Sequence, residues 1–323
     1  IVNKRRRGGR PAGARGLFPP GLSAEHLGPP DHYFWDNFWG IGGLEAAAWA
    51  ARRLGLHIEA DRFTQEADDF RDDVDAALAY ARSHNGRWAM PAAPHRRYDA
   101  GMIGNLVGVY PLGIFDPHDR RISDTLQVLE ANFFVEDAFL QAMVHSGFNP
   151  YLTLQCAQVH LARRDSERAW RLWDRICELA TPAGNWPEAI HPRTLGGCMG
   201  DGCHGWSAAE FVLFVRNAIL SDNDEHLILT PIMPPSWMSG LRAENLPTRF
   251  GPISFWLDGD GDRQLSLRLQ LTSRRQPKSI YWNLPRRATH VCIDGDTKPP
   301  VNNCLAVHCG PDTRKIEVEL ESA

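Results

Sequence analysis

The chain has 323 residues, 43% hydrophobic and 23% charged, the composition of an ordinary globular protein with one large domain or two moderate ones. Its 35 basic and 39 acidic side chains leave a formal charge of only -4, so no single-sign field marks nucleic acid or an anionic membrane as partner. No run of about eighteen apolar residues is present to span a bilayer.

The seven scattered cysteines, odd in number, do not look like a disulfide framework; a reducing compartment is favoured and a cytoplasmic address expected. The first residues carry no apolar leader, and the chain opens on Ile1 rather than Met, so the expectation is a piece of a longer protein.

Residues 1–33 are rich in Gly, Pro and Arg and read as loop. Within them, the basic run Lys4 to Arg10 reads as a solvated segment, the alternative being a targeting or nucleic-acid arm. From Phe34 to Leu54 apolar residues recur at helical spacing, and Gly55 ends the run. Further helices are predicted over Glu59 to Ser83, Asp99 to Tyr110, Asp119 to His145 with a break, Pro150 to Ala162, Ser166 to Leu179 (Ser166 as its N-cap) and Trp206 to Leu220. The glycines of the GIGG run at Gly40 to Gly43 suggest close helix packing.

Past Ser221 the period becomes two, as in Leu265, Leu267 and Leu269, with turn sequences between the runs. The DGDGD run at Asp258 to Asp262 fits a hairpin turn better than a calcium loop, because strands flank it and the closing Glu is missing. The expected fold is mainly α, an incomplete (α/α)6 toroid of about seven helices over 34–220, then a β-sandwich-like domain over 221–323.

Two loops carry the chemistry. In SAEHLGPPDHYFWDNFW, Glu25 precedes a Gly-Pro-Pro turn and the aromatic start of a helix. A carboxyl in a dry aromatic site has its neutral form favoured, as a general acid needs, although the local sequence alone favours a surface loop glutamate. In NWPEAIHPRTLGGCMGDGCHGW, Glu188 interrupts an apolar run before a Gly-rich turn and is either a paired structural acid or a reactive one. Trp35, Trp39, Trp186 and Trp206 lie beside these acids, and indole faces suit pyranose rings as well as core packing. Asp36, His191, Asp201 and His204 are candidate hydroxyl partners. His191, Cys198, Cys203 and His204 match no common zinc spacing, and neither a metal nor a cofactor is expected in the chain.

With helical hairpins, two acid loops and trailing strands in this order, the chain resembles the six-hairpin glycosidases, nearest the glucoamylase-like inverting enzymes of glycoside hydrolase family 15 and their relatives. The motifs are SAEHLGPPDHYFWDNFWGIGGLEAAAWAARRLG, RRYDAGMIGNLVGVYPLGIFDPHD and WPEAIHP followed by GWSAAEFVLFVRN, together covering roughly residues 17–220. The resemblance implies Glu25 as general acid and Glu188 as general base acting on an α-glucoside or related glycan, their carboxyls about 6.5–9.5 Å apart.

The chain departs from the family at Ala189, where the family has Gln, and at Ala24, where it has Trp. HYFWDNFW also resembles the aromatic-aspartate stretch of disaccharide-cleaving and phosphorolysing six-hairpin families, which makes Asp36 a competitor for a catalytic role. A non-catalytic sugar-binding protein, a disaccharide phosphorylase and a sugar lyase or isomerase are the alternatives. The resemblance covers only the second half of a barrel, which implies a missing N-terminal half or a second chain as partner.

Overall fold

The basic start is not wholly solvated. Helix α1 (Val2–Arg5) buries Arg5, whose guanidinium pairs with Asp73 at 2.6 Å and Glu66 at 3.7 Å and lies 4.4 Å from the centre of the Phe70 ring. The computed structural model describes residues 1–5, 11–23, 26–142, 146–200, 202–223, 225–260, 263–271, 275–307 and 314–321, with backbone alone at 23 and 26–28. The rest of the basic run, residues 6–10, lies outside them. Two units result, Ile1–Phe211 and Val212–Ala323, divided a little before the 220/221 position read from the sequence.

Residues 1–33 are also more ordered than a loop: β1 (Gly21–Ser23) and β2 (His26–Asp31) pair antiparallel, Gly21 opposite Asp31 and Ser23 opposite His26. Helix α2 (Phe34–Arg53) is apolar on nearly every side and buries Phe34, Phe38, Ile41 and Leu44. A β-carbon on Gly40 would stand 2.7 Å from Phe70 and 2.8 Å from Phe18, so glycine here sets how closely α3 (His57–Asn85) approaches. Gly86, at φ 72°, ends α3 in the left-handed conformation that caps helices.

The segment expected as an α-helix over 99–110 is instead a 3-10 helix, Ala100–Gly108, opened by Asp99 accepting from the Gly101 amide at 3.0 Å. Gly101, Gly104 and Gly108 withdraw the propensity an α-helix would need, and burial of all nine residues decides the conformation.

Helix α4 (Arg120–Phe133), capped by Asp119, stops well short of His145. A hairpin of β3 (Phe134–Val135) and β4 (Ala138–Gln141) follows, with Glu136 (φ 49°) and Asp137 (φ 61°) as its turn. Then come β5 (Gly147–Phe148), α5 (Pro150–Ala162), α6 (Ser166–Glu178), β6 (Ala189–Ile190), β7 (Gly197–Met199) and α7 (Gly205–Ile219), the last running across the division. The cap of α6 is Asp165, which accepts from the Arg168 amide at 3.3 Å, not the expected Ser166.

Packing explains the helical pattern. The 3-10 helix touches α2, α4 and α5, while α2 pairs with α3 and α5 with α6. Helix α5 is buried from Leu152 to Leu161, whereas α6 buries only Ala169, Leu172 and Ile176. An inner row of α2, the 3-10 helix and α5 is thus backed by an outer row of α3, α4 and α6. The sequence gives no sign of the small sheet β3-β4-β5-β6-β7 in this unit.

The second unit is β-rich, as the period-two pattern predicts. Its strands are β8 (Leu220–Asp222), β9 (His226–Leu229), β10 (Leu241–Leu246), β11 (Ile253–Gly259), β12 (Gln264–Leu271), β13 (Ser279–Asn283), β14 (Ala288–Ile293), β15 (Asp296–Lys298), β16 (Cys304–Val307) and β17 (Arg314–Leu320), with a short helix, α8 (Pro235–Met238), before β10. They form sheets of order β10-β11-β12-β17-β14-β15 and β16-β13-β9-β8. Alternate residues of both, among them Leu267, Ile316, Leu229 and Trp282, share one apolar core. At the DGDGD run, Asp260 accepts from the amides of Arg263 (2.7 Å) and Gln264 (2.9 Å) as β11 turns into β12; Gly261 and Asp262 lie outside the described residues.

Candidate active site

Hydrogen bonds gather the segments that precede α2, the 3-10 helix, α5 and α7 into two clusters. In the first, the Phe34 amide donates to Ala92 O at 2.9 Å, and Arg96 donates to the Tyr33 hydroxyl at 3.0 Å while pairing with Asp99 at 2.7 Å. The segment before α2 is so joined to the one before the 3-10 helix. In the second, Phe148 of β5 pairs with Ile190 of β6, which brings together the segments before α5 and before α7. A β-carbon on Gly147 would stand 2.8 Å from Cys198 Sγ and 3.0 Å from Ala189, so only glycine permits this approach.

Asp36 belongs to the first cluster, in the first turn of α2, where a carboxylate favours the positive end of the helix. It is nevertheless half-buried, and desolvation pushes its carboxyl up to about 6. Trp35 beside it is buried, and its indole N–H finds no partner among the described residues. Its ring stands edge-on to Trp39 at 5.9 Å, and Trp39 is exposed. Tyr33 is pushed up by burial; Arg96 opposes the shift, and Asp31, Asp99 and Asp36 add to it.

Glu188 belongs to the second cluster and is half-buried. Its loop is held on both sides. The Trp186 indole donates to Ile176 O at 2.8 Å, and Trp186 O accepts from the His204 amide at 2.8 Å. Gly200, at φ 68°, lies against Glu188.

The other expected site residues have mixed placements. Trp186 is 5% exposed, packed among Ile176, Phe211 and Ile190, so its ring belongs to the core rather than to a sugar platform. His191 is a turn residue whose Nδ1 accepts from the amides of Arg193 and Thr194. His204 Nδ1 is 2.7 Å from Ser207 Oγ in the first turn of α7. Trp206 is exposed and edge-on to Tyr151 at 5.6 Å. Glu25 and Asp201 lie outside the described residues, so the Glu25–Glu188 separation remains an expectation.

Glu210 is not among the candidates that the motifs single out. Its carboxyl is buried, accepts from Gln158 Nε2 at 2.8 Å, and is pushed up by burial, the Gln158 hydrogen bond only partly opposing this. The signal was present, since Glu210 interrupts the apolar AAEFVLF run just as Glu188 interrupts its own.

No protein-family model matches the chain, and no curated protein matches it in sequence. Solved structures do. A wild-type glycosidase matches at TM-score 0.51 and 18% identity, over 62% of this chain and 55% of that one. A glutamate-to-alanine glycosidase variant in complex with glucose matches at 0.50 and 16%, over the same shares. A bacterial glucoamylase complexed with acarbose matches at 0.44 and 14%, over 59% of this chain and 34% of that one, too slight a likeness to bear on the fold.

Over the matched part the chain has a glycosidase-like fold. The chain spans about half the length of the glycosidases it matches.

Proposed function

We propose that the chain is the catalytic part, or one half of the catalytic domain, of an inverting glycoside hydrolase acting on an α-glucoside or related glycan. The observation that carries this reading is the glycosidase-like fold, with one half-buried acid in the first turn of the inner helix α2 and another, Glu188, in the loop that precedes α7. Glu25 protonates the leaving oxygen and Glu188 deprotonates the attacking water. Trp39 and Trp206 offer exposed indole faces for sugar rings, with Asp36 and His204 on hydroxyls.

One observation supports a second assignment within the same reading. Asp36, held near 6 by burial, has the protonation behaviour of a general acid, so it competes with Glu25 for that role.

The helices also leave apolar surface open. Trp49 is 51% exposed on α2, a helix apolar nearly all round, which supports completion of the toroid by further helices.

The test is release of glucose from 4-nitrophenyl α-glucoside and a panel of disaccharides, by the chain alone and joined to any upstream helical segment its gene encodes. Glu188→Gln should lower kcat by about 100-fold or more with little change in KM. A wild-type rate in that variant refutes the base role, and sugar binding without turnover by the intact protein refutes hydrolysis.

A further inference from the structure

Away from both clusters, α4, α5 and α6 enclose another group of reactive side chains. Cys156 and His160 lie one turn apart on α5, so both project from the same face. Glu130 of α4 meets them there. His160 Nε2 is 3.0 Å from Glu130 Oε1, and its Nδ1 is 2.9 Å from Asp165 Oδ2. Arg168 Nε donates to the same Glu130 oxygen at 3.0 Å, and Arg168 also pairs with Asp137. One ligand atom each from Glu130, Cys156 and His160 lies within 4.8 Å of the other two.

We propose that Glu130, Cys156 and His160 form a site for a zinc-class divalent cation that ties α4 to α5. Thiolate, imidazole and carboxylate together select a borderline-soft ion such as zinc over magnesium or calcium. Bonds of about 2.0–2.1 Å at tetrahedral angles set nitrogen and oxygen donors about 3.3 Å apart, close to the 3.0 Å already separating His160 Nε2 from Glu130 Oε1. The surroundings match those of a ligating histidine, whose second nitrogen donates to a carboxylate that fixes the ring; Asp165 does this here. Arg168 donates to that same oxygen, Glu130 Oε1, and so fixes the carboxylate beside the ring.

The ion network formed by Glu130, His160, Asp165, Arg168 and Asp137 has no need of a thiol, yet Cys156 is wholly buried against it. Binding displaces the Cys156 thiol proton, with any proton on His160 Nε2, into solvent. Glu130, the least buried of the three, gives the ion its approach, and water completes the coordination.

The test is a titration of the chelator-stripped chain with Co2+ and then Zn2+. One equivalent of Co2+ should give thiolate-to-cobalt charge-transfer absorption in the near ultraviolet, bleached by Zn2+, with a rise in Tm. Cys156→Ala spares the ion network and should abolish the band and weaken Zn2+ binding by about 100-fold or more. Should the alanine variant fail to fold, Cys156→Ser, closer in volume, gives the same readout. Absence of the band in the wild-type chain overturns the proposal. So does a band that survives in either variant, since another thiol, such as the exposed Cys198, Cys203 or Cys304, would then be its source.

Discussion

Gly200 and Glu188 are in contact such that a β-carbon at position 200 would lie 2.9 Å from Glu188 Cβ and 3.3 Å from its Oε2. The glycine also has φ 68°, where a side chain is strained. Gly200 is therefore space left for the candidate base. Gly200→Ala should cost about 1–2 kcal/mol in stability and, by moving Glu188, lower kcat on a glucoside by about tenfold or more. Gly202→Ala is the control, because nothing lies within 4 Å of its built β-carbon. Equal thermal unfolding and equal rates in the two variants would show that the contact does not position Glu188.

Glu210 gives a prediction about pH. Burial raises its folded carboxyl above the unfolded value, so the folded state binds the extra proton. Its contribution to stability is then full below the unfolded value of about 4.3 and is lost as pH rises through the folded value. Glu210→Gln keeps the shape and a hydrogen bond to Gln158 without the charge. The variant should melt higher than wild type at neutral pH and no higher near pH 4 (about the unfolded value). A Tm difference that does not change with pH would place the cause elsewhere.

How much of this was legible in the sequence follows from where local pattern and tertiary contact agree. Helices α2, α3, α5 and α6 were readable because apolar spacing and burial coincide, and the second unit because Leu265, Leu267 and Leu269 do face its core. The Phe134 to Gln141 hairpin was not. Its turn places Glu136 and Asp137 at positive φ with neither Asn-Gly nor Asp-Gly to announce it. Arg175 pairs with Glu136 at 2.7 Å and Arg171 with Asp137 at 3.0 Å, contacts from α6 that no local window contains. In the candidate site, Glu188 is marked by the apolar run it interrupts and Asp36 by the aromatic-aspartate stretch that holds it. That the Trp186 ring faces inward depends on α6, thus on tertiary structure.

Asp36 connects stability and catalysis by one titration. Burial lifts it to about 6, so its protonated form is favoured in the folded chain, and stability falls as pH rises from about 4 through 6. Asp36→Asn should remove that slope, melting higher than wild type at neutral pH and equally near pH 4 (roughly the unfolded carboxyl value). If Asp36 is the general acid, the fall of kcat on the basic side, centred near 6, disappears in the variant together with most of the activity. If it only holds a hydroxyl, KM rises and the pH profile keeps its shape. Stability and kinetic profiles measured on one preparation separate these outcomes.

Trp186 tests whether the Glu188 loop is positioned from α6. Ile176 is near the C-terminus of α6 (Ser166–Glu178), where carbonyls have no further amide of the helix to accept from, and the Trp186 indole supplies that hydrogen bond at 2.8 Å. Trp186→Phe keeps an aromatic ring against Phe211 but leaves a buried carbonyl unpaired, at a cost of roughly 1–3 kcal/mol. Two residues from Glu188, the same loss should lower kcat more than it raises KM, because orientation of the base matters most in the transition state. Trp173→Phe stacks on the same Phe211 ring without touching the loop's hydrogen bonds and should lose stability alone. A Trp186→Phe enzyme that loses stability yet keeps its kcat would show that Glu188 is held by the Gly200 turn rather than from α6.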